Sequence, residues 1–194
     1  MITVPNWWLL SISMYISSFV GDLFDGMVAR RLNQTSEFGG LLDMVTDRCS
    51  TLGLLYVLSG DYAEDDNAIG FPVYRLTFLF LAILDISSHW CQMYSTAALK
   101  QHHKSKDGNA GRSFLVRWFY EYYYFFGYLC VGAEFTYILA YVLQFTKDSP
   151  YHGILTYLLY GCIPGCAMKQ IVNLAQLSSA CYVVAKNDAD KKNN

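Results

Sequence analysis

Four aspartates, Asp22, Asp25, Asp43 and Asp47, fall within the stretch DLFDGMVARRLNQTSEFGGLLDMVTD, between two strongly apolar runs. In a helix the first two are three residues apart and the last two four apart, so each pair shares a face and aims its oxygens at one region. Two such pairs facing each other make a site for hard, oxygen-seeking divalent cations. The setting sharpens the point, because an Asp at the centre of a membrane helix costs roughly 2.5 to 3.5 kcal/mol on insertion scales. Bound cations would offset that cost.

The elements that must position these acids are membrane helices. Of 194 residues, 54% are hydrophobic and 15% charged, and the apolar ones are gathered in long runs. This predicts an all-α, polytopic transmembrane helix bundle with about five spans. The first apolar run, from Trp7 to about Val20, is short for a span of roughly 20 residues, so it is completed only by continuing into the Asp22 region. Trp7 and Trp8 read as an interfacial anchor. The further spans are expected at 41–58, 73–99, 114–145, with a kink near Gly127 or Gly132, and 154–184, interrupted by Gly161 and Pro164. SGDYAEDDNAIGFP (59–72) and QHHKSKDGNAGR (101–112) read as loops, and TKDSPYHG as a turn.

Charge fixes an orientation. If the spans alternate, Arg30, Arg31, Arg48, Lys100, Lys104, Lys106, Arg112, Arg117, Lys186, Lys191 and Lys192, eleven of the fourteen basic residues, fall on one side. By the positive-inside rule that side, with the Asp motif and the C-terminus, faces the cytosol. The sequon Asn33-Gln34-Thr35 is then not glycosylated. No cleavable signal peptide is evident, since no basic segment precedes WWLLSISMYISSFV. The six cysteines form no CxxC pair and read as packing thiols.

The full spacing is Asp22, two residues, Asp25-Gly26, two residues, Ala29-Arg30, eight residues, Gly39, three residues, Asp43, three residues, Asp47. It resembles in full the signature of the CDP-alcohol phosphatidyltransferase family. Eight fixed positions, each a residue type at roughly 5 to 8% abundance, agree by chance about once in 10⁹ to 10¹⁰ windows. The resemblance implies transfer of a phosphatidyl group from a CDP-linked lipid to an alcohol. It implies Asp22, Asp25, Asp43 and Asp47 as metal ligands, with Asp47 also the catalytic base. Gly26 and Gly39 would let the nucleotide approach the backbone, Arg30 would present a fork of donors to phosphate, and Ser36 would contact the nucleotide.

RRLNQTSEFGGLLDMVTDRCST and LDISSHW further resemble the inositol-using branch of the family. That resemblance implies CDP-diacylglycerol and myo-inositol as substrates and CMP as by-product. It also implies Mg²⁺ or Mn²⁺ as cofactor, and a homodimer in the endoplasmic reticulum membrane with no nucleic-acid partner. Lys191-Lys192-Asn193-Asn194 resembles a dilysine retrieval signal. Asp85 and His89, one turn apart in mid-span, form either a satisfied intramembrane hydrogen-bonded pair or, with Arg112 and Arg117, part of an inositol pocket. Glu121, Glu134, Lys169 and the tyrosines at 120–124 read as packing or interface residues, and His102 and His103 as solvated loop residues. Family members usually have six spans, so residues 1–186 are expected to form one transmembrane domain lacking the first helix, with 187–194 a cytosolic polar tail. Two other outcomes stay open: a different acceptor (glycerol phosphate, serine or choline) or a truncated, non-catalytic membrane protein.

Overall fold

The computed structural model of the protein describes residues 7–98 and 123–193. Six helices, and no strand, occur among them: α1 (Trp7–Arg31), α2 (Glu37–Asp61), α3 (Ala63–Ile69), α4 (Val73–Ala98), α5 (Tyr123–Phe145) and α6 (His152–Asn193). Five of these have 23 residues or more. Among the described residues, α1, α4 from Val73 to Ala97, and α5 from Gly127 to Phe145 are long and apolar enough to cross a membrane.

The bundle presents large apolar side chains outward and buries a set of polar ones beside its apolar core. Large side chains such as Leu10, Met14, Phe24, Leu79, Phe80, Ile83 and Tyr157 are exposed, whereas Ser88, Gln92, Ser95, Asn173 and Gln176 are almost completely buried. In water this arrangement would be costly. In lipid, helices gain nothing by hiding leucine, and associate through close packing and interhelical hydrogen bonds instead.

α6 packs along both α5 and α4, and α4 along α2. α5 and α6 come close at Gly132 and Gly165, where a Cβ on Gly132 would lie 3.6 Å from the Gly165 Cα. α1 is the least embedded helix, leaning on α5 through Tyr15 and through Trp8, which stacks on Phe145 with ring centroids 5.7 Å apart.

The first apolar run continues into the Asp22 region as expected, in one 25-residue helix that carries Asp22 and Asp25 within it. Two sequence expectations are revised. The acidic loop holds the short helix α3, ended by Gly70 at φ 78 in the left-handed region. Its Asp66 is buried and accepts the Tyr74 and Arg75 backbone N–H groups at 2.7 and 3.0 Å, capping α4. The second revision concerns the last helix, which neither breaks at Gly161 and Pro164 nor stops at 184, but runs on through the polar tail to Asn193. The basic loop at 101–112, and the expected fourth span up to residue 122, lie outside the described residues. All six cysteines are free, and Cys166 is buried as expected of a packing thiol; Cys49 and Cys181 are exposed instead.

Candidate functional site

The Asp-bearing helices form a hairpin whose turn is specified residue by residue. Asn33 takes a left-handed φ of 53, a conformation Asn tolerates better than most residues. Its N–H donates to the Arg30 carbonyl at 3.3 Å and the Gln34 N–H to the Ala29 carbonyl at 2.9 Å, the paired bonds that close a Schellman-type helix end. Three residues on, Ser36 in extended backbone starts α2, its Oγ accepting the Gly39 N–H at 2.9 Å.

This turn sets the heights of the four acids. Asp25 lies six residues before the end of α1 and Asp43 six after the start of α2, so at 1.5 Å per residue both sit about 9 Å from the turn. Asp22 and Asp47 pair off in the same way, one turn deeper.

Three of the four meet. Oxygens of Asp22, Asp25 and Asp43 all lie within 4.8 Å of one another. Carboxylates gathered so closely repel unless a cation or protons intervene, and an all-oxygen donor set suits a hard divalent ion. The residues therefore fit the metal that their spacing implies. Asp47 stands apart from this cluster. Its Oδ2 accepts from Arg48 Nη2 at 3.2 Å. Arg48 Nη1 in turn donates to both carboxylate oxygens of Asp85 on α4, at 2.9 Å each. The sequence marked Arg48 only as one of the flanking charges; its adjacency to the last Asp of the motif was the signal for a larger part.

The other expected residues divide. The Arg30 guanidinium lies over Gly26, where a Cβ would sit 3.5 Å from Nη1. Gly39 is more constrained, since its Cβ would come to 3.1 Å from Ser36 Oγ. Ser36 thus holds the helix start, a duty the nucleotide contact alone did not suggest. Asp85 and His89 are both hydrogen-bonded, but not carboxylate to ring: His89 Nδ1 lies 2.8 Å from the Asp85 backbone carbonyl and 3.6 Å from its Oδ1. Arg112, Arg117, Glu121, His102, His103 and the tyrosines at 120–122 lie outside the described residues.

Two groups expected in packing roles are found there. Buried Lys169 donates to Asn173 Oδ1 at 2.6 Å. Glu134 on α5 accepts from Tyr15 of α1 at 2.7 Å through Oε2 and from Thr51 of α2 at 2.9 Å through Oε1.

The family model described as CDP-alcohol phosphatidyltransferase matches residues 1–146. CDP-diacylglycerol–inositol 3-phosphatidyltransferase 1 of Arabidopsis thaliana is 40% identical, over 92% of this chain and 78% of the relative. The Schizosaccharomyces pombe protein named CDP-diacylglycerol–inositol 3-phosphatidyltransferase is 33% identical, over 92% of this chain and 79% of the relative. The Homo sapiens protein of that name is 33% identical, over 93% and 81%. No solved structure matches the chain at a significant level.

Proposed function

Because the chain belongs to the CDP-alcohol phosphatidyltransferase family, we propose that it transfers the phosphatidyl group of CDP-diacylglycerol to myo-inositol, giving phosphatidylinositol and CMP. The observation that carries this reading is the convergence of Asp22, Asp25 and Asp43 beside Asp47, on a chain whose relatives are named for that reaction.

A hydroxyl oxygen of inositol attacks the phosphorus that bears the diacylglycerol. The pyrophosphate bond to that phosphorus breaks, and CMP leaves with the electron pair. Asp22, Asp25 and Asp43 would hold divalent cation, Mg²⁺ or Mn²⁺, with Asp47 the remaining carboxylate of the set; when bound, it neutralises pyrophosphate charge. Asp47 takes the proton of the attacking hydroxyl, a task for a carboxylate within hydrogen-bond reach. Arg48 orients that carboxylate, and Asp85 orients Arg48. Arg30, Gly26, Gly39 and Ser36 line the hairpin end, where the nucleotide would lie. His89, Arg112 and Arg117 complete the proposed polyol set, with Asp85 acting through Arg48. The proposal extends to a homodimer in the endoplasmic reticulum membrane, hairpin end and C-terminus toward the cytosol, an orientation supported by the basic residues that gather on that side. In this reading residues 1–186 are its single transmembrane domain and 187–194 a cytosolic polar tail.

Purified chain in detergent, given CDP-diacylglycerol, Mn²⁺ and labelled inositol, should form labelled lipid. The Asp47→Asn variant should form none while still retaining the CDP-lipid. Product only from glycerol phosphate, serine or choline would reassign the acceptor. No product from any of these, with the CDP-lipid bound, would make the chain non-catalytic.

A further inference from the structure

Glu134 stands where three helices meet. It belongs to α5, yet both its oxygens are taken by hydroxyls from the two helices that carry the aspartates: Tyr15 of α1 and Thr51 of α2. Thr51 lies one turn beyond Asp47, and its Oγ1 also approaches the Asp47 backbone carbonyl at 3.1 Å. Tyr15 lies seven residues before Asp22, so at 100° per residue it sits on nearly the same face, about 10 Å deeper. The hydroxyls held by Glu134 thus lie deeper in the bundle below Asp22 on α1 and Asp47 on α2.

We propose that Glu134 is a positioning residue: by gripping Tyr15 and Thr51 with separate oxygens, it fixes the gap between α1 and α2 and so the convergence of Asp22 and Asp25 with Asp43. This rests on the metal-site reading above. The need for such a grip follows from α1, which is otherwise the least embedded helix and presents most of its large apolar side chains outward. α5 is a suitable reference, because it packs closely on α6 and is tied to it through Tyr137, whose hydroxyl lies 3.1 Å from Gln170 Nε2 and 3.8 Å from Cys166 Sγ. Two hydroxyl bonds onto a carboxylate in a low-dielectric interior are strong and directional. A misplacement of α1 of even 1 Å would separate carboxylates that must share one ion.

The test is Mn²⁺ binding by the purified full chain, followed by electron paramagnetic resonance without lipid or inositol. Glu134→Ala should weaken binding about 10-fold, the lower end of what losing a group bonded directly to a metal ligand costs, since Glu134 acts one step further out. Tyr15→Phe and Thr51→Val, each removing one oxygen, should weaken it less. Tyr15→Phe should add nothing once Glu134 is Ala. Leu129→Ala, a buried truncation on the same helix, should lower thermal stability but leave Mn²⁺ affinity unchanged. If Glu134→Ala does not fold, the two single-oxygen variants decide alone. Unchanged Mn²⁺ affinity in the clamp variants, or an equal loss in Leu129→Ala, overturns the proposal. Absence of binding by the unaltered chain overturns it together with the metal site. A chain that binds Mn²⁺ through an intact clamp yet makes no inositol lipid loses the proposed reaction and keeps the clamp.

Discussion

At the scale of single residues, the site is three carboxylates and a fourth held back by an arginine. Arg48 is linked to both Asp47 and Asp85, and its Nη1 spans both oxygens of the latter. Removing one partner of a largely buried ion pair is typically worth about 3 to 5 kcal/mol, so Asp85→Asn should lower thermal stability measurably. It should also cut turnover more than the KM for inositol, because Asp85 acts on Asp47 through Arg48. An equal rise in KM with turnover intact would instead place Asp85 against the polyol. The four aspartates were legible in the sequence because their spacing is the chemistry. The Arg48–Asp85 link was not, since it joins residues 37 apart in sequence on different helices. Nothing in the period of either helix reports such a pairing.

At the scale of elements, the hairpin between α1 and α2 decides whether the two pairs of acids stand level. Ser36 starts α2 with its hydroxyl on the Gly39 N–H. Ser36→Ala should therefore cost about 1 kcal/mol of stability, and Ser36→Asp should restore most of it by capping in the same way. Thermal unfolding of the two variants checks this. A loss of transfer in Ser36→Asp despite restored stability would mark the hydroxyl as a nucleotide contact as well. Helix type and approximate limits were legible from the long apolar runs, and so was the continuation of α1 into the Asp22 region, because the apolar run alone is too short for a span; the chain continues helically until Asn33 turns it. Asp66 is the opposite case: read as part of an acidic loop, it is the cap of α4, a role visible only once the chain folds back.

At the scale of the whole molecule, an all-helical membrane bundle with apolar side chains outward is what the composition foretold, and the helix contacts are what it withheld. Small residues at 132 and 165 gave no periodic signal strong enough to pair α5 with α6. The bundle that results gives the site a direction. Asp22, Asp25 and Asp43 gather together, while Asp47 is joined through Arg48 to Asp85 on α4. Such a site has a hand. With Asp47 taking the proton of the attacking hydroxyl, as proposed, the hydroxyl arrives from the side of Asp47 and CMP leaves opposite it, in line through phosphorus. A donor made stereochemically pure at that phosphorus should accordingly give a product of inverted configuration, and retention would mean that the enzyme first takes the lipid onto one of its own side chains.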